Sequence, residues 1–542
     1  MKALSVITLL FLLLGCAAQP REKNNQTNWW QYSVYELSEQ LAAGNITSVA
    51  LVDHYVARIQ QYDHQGPTIN SVISINPFAR EDALMRDLER VQGKVRGPLH
   101  GIPVLIKDNI DTRELATTAG SLALIDNRTD RDAPIIARLR DAGMIVLGKT
   151  NLSEWANFRS EDSISGWSGV AGQTLNPHDL SRSPCGSSSG SGAAIAIGLA
   201  PIAIGTETNG SVICPASMNG IVGYKPTIGL LSRTHIVPIS PSQDTAGPMA
   251  QSVKDAALLA YAMAGSDPKD NATAAADLRK EDLAKPFTQT LAGVRIGVMR
   301  SHQGQRPEII ALFDKALSSL AAAGAELVDI TDFSVPDDFW DASYGVLLSE
   351  FEPSVNQYLA SAPNIKQARS LDDLIKFNQQ STRELALFDQ SIFIKAQQAP
   401  TLDSEVYAKN LALVQTSTRE EGIDRLLAEH NVSLLVAPSN NPAFKIDTVF
   451  GDHGPWGWLG FGWAAAIAGY PHVSVPMGDI KQLPIGLSFI SGQWQDWDVL
   501  NAAHVFQQNN ETTFNPIAID GTQWQIKPAT SLPHNGSAPV KH

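Results

Sequence analysis

The chain has 542 residues, which suffices for about three domains of ~150 residues each or for one large α/β domain. Hydrophobic residues make up 43% and charged residues 18%, so the chain can bury a large core and is not disordered as a whole. Acidic residues outnumber basic ones by 55 to 41, and this balance argues against a nucleic-acid-binding surface, which requires clustered lysine and arginine.

The N-terminus has the features of an export signal that ends in a lipid-attachment site. Lys2 precedes an apolar stretch from Val6 to Leu14, which is shorter than the ~20 residues that a membrane-spanning helix needs. Gly15 and Cys16 then resemble the lipoprotein box of bacteria, in which the cysteine becomes the lipidated first residue of the mature protein. An ordinary cleaved signal and a buried N-terminal helix are the alternatives.

This interpretation divides the N-terminal region into a signal peptide, residues 1–15, and a flexible polar tether, residues 16–32. It predicts a protein anchored through lipid on Cys16 in the bacterial cell envelope and facing the periplasm. Ala17 stands where an aspartate would retain a lipoprotein at the inner membrane, so the outer membrane is favoured.

The pattern of apolar runs predicts alternating strands and helices. Ser33 to Glu36 fits a capping box, and a helix is expected after Thr47. Short buried strands are predicted at Pro103 to Ile106 and Met144 to Leu147, with a helix between them at Ile135 to Ala142. A strand, a helix and a strand in that order predict an α/β fold with a parallel core.

Further elements follow the same logic along the rest of the chain, and no repeat or linker divides it. A buried helix is predicted at Ala193 to Ala200. A second strand–helix–strand unit is predicted at Val294 to Val298, Glu308 to Ala323 and Glu326 to Ile330, and two later strands at Leu434 to Ala437 and Val473 to Pro476.

Three glycine-containing motifs suggest functions that their surroundings do not support. Gly143 to Thr150 matches the phosphate-loop pattern, but its four variable residues are apolar and indicate a strand. Gly186 to Gly190 matches the nucleophile elbow around Ser188, yet no hydrophobic strand precedes it. Gly190 to Ile195 lacks the third small residue of a dinucleotide fingerprint. The histidines and cysteines show no metal-ligand spacing, so neither a metal nor another cofactor is expected.

One set of segments accounts for the unusual residues together. Lys107 follows an apolar run, Ser187 lies in a Ser/Gly-rich segment, and Ser211 follows Thr208 to Gly210. In their order, spacing and flanks these segments resemble the amidase signature family, from about residue 35 to residue 506. Further matching stretches are Gly148 to Glu154, Gly223 to Thr227, Gln243 to Met249 and Ala468 to Pro476.

The resemblance implies a fold and a reaction. The fold would be α/β, a single large domain at 33–510 with a mixed, mostly parallel central sheet covered by helices on both faces, followed by a tail at 511–542. The reaction would be amide hydrolysis through an acyl-enzyme on Ser211. A neutral Lys107 would take the proton through Ser187, which has a cis peptide bond in the family, and burial would keep the lysine neutral.

The same resemblance assigns the oxyanion hole to backbone N–H groups of Thr208, Asn209 and Gly210. Taken singly, each feature has an ordinary structural explanation, since a strand-end lysine usually extends its amine to solvent and a Ser/Gly cluster is usually a loop. Lys149, Glu154 and Lys225 also match family positions, and we interpret them as structural ion pairs or caps. Cys185 and Cys214 could pair or remain buried free thiols.

The subgroup is indicated by finer details. Ile213 replaces an arginine that many members carry after the nucleophile, and export disagrees with a cytosolic complex, so the amide-transferring component of a tRNA amidotransferase is disfavoured. Several stretches look most like bacterial peptide amidases, which release ammonia from peptide C-terminal amides. They are Ser153 to Phe158, Ser165 to Trp167, Ser183 to Ser191 and Thr206 to Pro215.

The substrate-binding residues are expected among aromatic side chains. Trp155, Phe158 and Trp167 could line an apolar acyl pocket or could be core aromatics, and Phe450 to Trp463 could form part of the channel. The predicted ligand is a small-molecule or peptide amide, with no obligate protein partner. A fatty-acid or aryl amidase and a non-catalytic amide-binding lipoprotein remain as alternatives.

Overall fold

The computed structural model describes residues 28–453, 459–510, 512, 514 and 516. Thirteen strands are present in these residues: β1 (Val72–Ile75), β2 (Pro103–Lys107), β3 (Ile145–Thr150), β4 (Trp167–Ser168), β5 (Gly172–Gln173), β6 (Ile202–Glu207), β7 (Val222–Lys225), β8 (Thr245–Ala250), β9 (Arg295–Met299), β10 (Glu326–Ile330), β11 (Leu434–Pro438), β12 (His472–Ile480) and β13 (Leu483–Ile490).

The α-helices of the described residues surround these strands. They are α1 (Val34–Ala42), α2 (Ser48–Arg58), α3 (Ala79–Val91), α4 (Pro134–Asp141), α5 (Ser189–Ala196), α6 (Ile213–Asn219), α7 (Val253–Met263), α8 (Ala276–Arg279), α9 (Pro307–Ala322), α10 (Phe339–Ser361), α11 (Leu371–Gln380), α12 (Ser391–Gln397), α13 (Glu405–Thr418), α14 (Asp424–Glu429), α15 (Gly462–Ala468) and α16 (Asp496–Asn509).

Eleven strands form one mixed sheet in the order β1-β3-β2-β6-β8-β7-β12-β13-β11-β9-β10. Parallel pairing occurs in two groups, β3-β2-β6 and β11-β9-β10, whose consecutive strands are connected through helices. The strands between these groups pair antiparallel, as does the edge strand β1. The mixed α/β sheet was predicted, but the expectation that parallel pairing dominates is wrong, because six of the ten neighbouring pairs are antiparallel.

A tight hairpin explains part of the antiparallel centre. β12 and β13 are joined by only Lys481 and Gln482, which both have positive φ values, of 55° and 68°. Two such residues form the type of two-residue turn whose twist matches that of the flanking strands. No helix can be fitted into this connection, so the two strands must run antiparallel.

Helices cover both faces of the sheet. Successive residues of β11 point to opposite faces, so Leu434 and Val436 join the main core cluster while Leu435 and Ala437 join a second cluster. Helices α9 and α16 pack on the first face, and α14 and α15 pack on the second. The predicted two-sided arrangement is therefore present.

The structure describes only a small part of the N-terminal region to which the predictions apply. Cys16, the signal at 1–15 and most of the tether and of the tail lie outside the described residues. At the described end of the tether, Trp29–Gln31 forms a helical turn and Trp30 packs under the guanidinium of Arg58, 4.8 Å from its ring centroid. The folded domain thus begins before residue 33. Among the described helices, none combines the length and apolarity needed to cross a bilayer.

The helix predicted at Ala193 to Ala200 begins earlier, at Ser189, inside the Ser/Gly-rich segment. Small residues are required there because a Cβ on Gly190 would lie 2.3 Å from the carbonyl oxygen of Ser71. The Ser191 hydroxyl donates to the carbonyl of Ile204 on β6, at 3.1 Å. Close backbone approach, and not a loop, explains the composition of this segment.

Candidate active site

Lys107 ends β2 in the middle of the parallel group and is fully buried. Its Nζ donates to Ser187 Oγ at 2.8 Å, to Thr206 Oγ1 at 2.8 Å and to the Thr206 carbonyl oxygen at 3.2 Å. Burial lowers the pKa of the Lys107 ammonium to about 7, although the negative charges of Glu207 and Asp244 oppose this shift. A large fraction of this amine is therefore neutral near neutral pH.

A neutral amine, which has two N–H donors and one lone pair, can make the same three contacts. The carbonyl of Thr206 can only accept, so it takes one N–H. Thr206 Oγ1 also accepts from Asn109 Nδ2, at 2.9 Å, and takes the second N–H. The lone pair is then left for Ser187, so in the neutral form the 2.8 Å contact reverses its direction and the Ser187 hydroxyl donates to Nζ.

Ser187 is held by its backbone between two neighbouring segments. The Gly186–Ser187 peptide bond is cis, as the family resemblance implies. The Ser187 carbonyl accepts from Ser153 N at 3.1 Å, and the next amide, Ser188 N, donates to the carbonyl of Ser211 at 3.1 Å. The segments that carry Ser187 and Ser211 are thus adjacent.

Ser188, the central residue of the elbow-like motif, has a structural role. Its hydroxyl accepts from Thr206 N at 3.2 Å and donates to the Thr206 carbonyl at 3.1 Å. It therefore ties α5 to β6 and is not presented to a cavity. The prediction that this motif is not a nucleophile elbow agrees with these contacts.

Ser211 lies in the short loop between β6 and α6. Glu207 fixes this loop, because its Oε2 accepts from Val212 N at 2.7 Å and from Ile213 N at 3.0 Å. A carboxylate suits these amides at the start of a helix. We did not single out Glu207 in the sequence; a carboxylate just before a Thr-Asn-Gly loop was the available signal.

The loop offers free backbone donors to the cavity in front of it. Within the described part of the chain, the amides of Thr208, Asn209 and Gly210 donate no hydrogen bond, and all three residues line the cavity. Gly210 has φ +82°, which a residue with a side chain adopts only with strain. This row of donors can bind an anionic oxygen next to Ser211.

The cavity in front of Ser211 has a volume of about 1080 Å³. Ser211 is part of its wall, and no hydrogen bond joins the Ser211 hydroxyl to any residue that the structure describes, Ser187 included. Five aromatic side chains also line the cavity; they are Phe158, Phe333, Trp340, Tyr344 and Trp463. Trp463 and Leu459 come from the segment predicted to border a channel.

Of the three aromatic residues singled out in the sequence, Phe158 lines this cavity and the two tryptophans do not. Trp155 is 2% exposed and packs edge-on against Phe393, and Trp167 is 4% exposed and packs against Phe388. Both tryptophans are core aromatics, as the alternative interpretation held. Their rings pack against other buried aromatic rings and are not exposed to the cavity.

Cys185 and Cys214 form a disulfide, which resolves the question left open by the sequence. Their Cα atoms are 5.8 Å apart, and both residues line the cavity. The bridge links the chain two residues before Ser187 to the chain three residues after Ser211. It therefore holds the two serine segments together covalently.

Two of the three family-matched charged residues form buried ion pairs. Lys149 lies 3.2 Å from Asp108, and Glu154 lies 3.3 Å from Arg159. Lys225 is different: it is fully buried and donates to the Pro226 carbonyl at 3.1 Å, with no carboxylate of the described residues within ion-pair distance. Of the two structural roles expected for Lys225, an ion pair or a cap, the ion pair is not formed with any described residue.

Comparison with known proteins identifies the family. The amidase family model matches residues 50–500. The solved structure of native peptide amidase from Stenotrophomonas maltophilia is 44% identical, with a TM-score of 0.84, and covers 90% of this chain and 99% of that chain. A structure of the peptide amidase PAM with the competitive inhibitor chymostatin matches with 44% identity, a TM-score of 0.85 and the same coverage.

A more distant solved structure has the same fold. An amidase family protein from Bacillus anthracis is 33% identical, with a TM-score of 0.80, and covers 90% of this chain and 92% of that chain. The chain belongs to the amidase signature family. It is an amidase, a hydrolase of amide C–N bonds.

We predict that the disulfide stabilises the fold. Replacing both cysteines, Cys185→Ser with Cys214→Ser, frees a loop with a sequence separation of 29 residues in the unfolded chain. The regained entropy of the unfolded chain then lowers the free energy of unfolding by about 3.5 kcal/mol. Urea denaturation of the oxidised wild type and the double variant measures the difference, and the wild type with reductant serves as control. Coincident curves for all three samples would contradict the prediction.

Proposed function

We propose that this amidase releases ammonia from peptide C-terminal amides through an acyl-enzyme on Ser211. The observation that carries the proposal is the buried Lys107 amine, which has a pKa of about 7 and bonds to Ser187 beside the Ser211 segment. An amide is a poor electrophile and a serine hydroxyl a poor nucleophile, so the reaction needs a base of this kind.

The proposed proton path runs from Ser211 through Ser187 to Lys107, and its second step follows the hydrogen bond between Ser187 and the lysine. Ser211 Oγ attacks the amide carbonyl and gives its proton to Ser187 Oγ, while Ser187 gives its own proton to the Lys107 lone pair. The amides of Thr208, Asn209 and Gly210 stabilise the oxyanion, and losing one such donor typically costs ~10²–10³ in rate. The proton then returns to the leaving nitrogen, and a water molecule hydrolyses the ester in the same way.

The cavity chemistry supports a peptide-like acyl group. A volume of about 1080 Å³ suits a ligand of several residues, and its aromatic wall suits apolar side chains. The 44% identity to a peptide amidase points the same way. A panel of peptide C-terminal amides against fatty-acid, aliphatic and aryl amides tests the choice; preference for an amide without a peptide acyl group would favour the second candidate, a general amidase.

Substitution of two of the three proposed catalytic residues tests the mechanism. We expect Ser211→Ala and Lys107→Ala each to lower kcat for ammonia release from a peptide amide by at least about 10⁴-fold, because groups that act as a unit fail together. Ser188→Ala, a neighbouring serine outside the proposed proton path, should retain activity to within about tenfold. Near-normal turnover by a folded Ser211→Ala or Lys107→Ala variant would refute the mechanism.

The pH dependence follows from the sign of the lysine shift. Because burial lowers the pKa of Lys107 to about 7, the amine becomes neutral and active as pH rises through that value. We expect kcat/KM to rise with pH around 7 and then to level off. Glu207→Gln removes a negative charge that raises the Lys107 pKa, so the rising limb should move to lower pH. A limb that stays in place or moves upward would contradict this assignment.

We also propose that the protein is lipid-anchored through Cys16 in the bacterial cell envelope. Support comes from the sequence alone: a basic start, a short apolar stretch and a Gly-Cys pair. Cell fractionation tests it, with Cys16→Ser expected to move the protein from the membrane fraction to the soluble fraction. An unchanged distribution between the two fractions would refute the anchor.

A further inference from the structure

A second cavity, of about 590 Å³, adjoins the one in front of Ser211. The two cavities share Ala156, Thr208 and Ile239 as wall residues, so they meet at the loop that precedes Ser211. The proposed acyl-enzyme mechanism gives the first cavity an occupant, the acyl group. It gives the second cavity none.

The wall of the second cavity includes a residue that binds the lysine. Asn109 and Thr206 form part of its wall. Thr206 Oγ1 receives hydrogen bonds from both Asn109 Nδ2 and Lys107 Nζ, at 2.9 Å and 2.8 Å. Neither residue lines the first cavity. The second cavity is therefore the one on the lysine side of the cleavage site.

The position of the lysine determines which half of a substrate faces this cavity. When the C–N bond breaks, the leaving nitrogen must receive the proton that Lys107 and Ser187 took from Ser211. A substituent on that nitrogen therefore extends towards the lysine side. Ammonia is about the size of a water molecule, which occupies ≈ 30 Å³ in the liquid, so a cavity of about 590 Å³ far exceeds what a primary amide needs.

We propose that the second cavity binds the amine half of N-substituted amides, which would extend the activity from primary to secondary amides. This inference rests on the proposed function. Ser211 Oγ bonds to the carbonyl carbon, the C–N bond breaks, and the amine leaves with the proton from Ser211. Water then hydrolyses the ester to the acid, so an amide and water give an acid and an amine.

The wall chemistry indicates an uncharged, apolar amine. The stretch from Ile236 to Ile239 supplies two branched aliphatic residues, a valine and a proline on one side. Among the charged wall groups, Arg233 pairs with Asp270 at 2.5 Å, and Asp244 accepts from Thr208 Oγ1 and from the amides of Ile239 and Ser240. Lys269 adds a positive charge to the wall, which disfavours a cationic amine. An aryl or alkyl group is therefore a better fit than a charged one.

A matched pair of substrates tests the inference on the intact enzyme. N-acetylphenylalaninamide and the 4-nitroanilide of N-acetylphenylalanine have the same acyl group and differ only in the amine that leaves. We expect the wild type to hydrolyse both, releasing ammonia from one and 4-nitroaniline from the other. Ser354 lies on α10 in the wall of the second cavity and does not line the first.

Ser354→Phe should fill the second cavity and lower kcat/KM for the anilide by at least about tenfold, while kcat/KM for the primary amide changes by less than about twofold. Ser354→Ala, which removes the hydroxyl without adding bulk, should change neither. Gln357→Trp adds bulk in the wall of the same cavity and gives a second test if Ser354→Phe does not fold.

The outcomes separate this inference from the proposed function. Turnover of the primary amide without the anilide overturns the inference and leaves the proposed function intact. Equal slowing of both substrates by the bulky variants, or no slowing of the anilide, also overturns it. Turnover of neither substrate by the wild type refutes the proposed peptide amidase function, and the inference with it.

Discussion

The proposed reaction depends on one contact, the hydrogen bond between the buried amine of Lys107 and the hydroxyl of Ser187. An amine at the end of a central strand cannot reach water, so the charged form is disfavoured and the neutral form becomes a usable base. The surrounding sheet makes this possible, because β3 and β6 flank β2 on either side and leave the lysine only protein partners. Every step of the proposed reaction begins with this amine.

The rest of the site keeps two serine segments next to that amine. Ser187 and Ser211 come from different segments of the chain, so contacts between these segments are needed to fix their relative position. A backbone hydrogen bond from Ser188 to Ser211, the Cys185–Cys214 disulfide and the carboxylate of Glu207 hold them in register. None of these groups needs to touch a substrate. In the proposed reaction their role would be preorganisation, with the loop amides already placed for the developing negative charge.

Much of this could be predicted from the sequence, and the reasons are local. Short apolar runs indicated β2 and β3, two of the three strands of the first parallel group, and the capping box at Ser33 is present as predicted, with Glu36 closing it. The Ser/Gly segment and the Thr-Asn-Gly loop were interpretable only together, since each alone resembles an ordinary turn. Their joint order and spacing resemble those of the amidase signature family, and this resemblance distinguished them from ordinary turns.

Features that depend on contacts distant in sequence were missed or left open. Trp155 and Trp167 carry no signal that separates a core position from a cavity wall, because their partners Phe393 and Phe388 lie more than two hundred residues away. The cysteine pairing, the missing ion pair of Lys225 and the predominance of antiparallel pairing are of the same kind. Each depends on which segments meet in the fold, and strand periodicity does not contain that information.

The central claim is that the Lys107 amine is neutral in the folded protein at physiological pH. The most direct measurement is an NMR titration of the ¹³Cε resonance of Lys107, assigned by its absence in Lys107→Ala. The account predicts a titration midpoint near 7. A midpoint above about 10, the value of a solvent-exposed lysine, would contradict it.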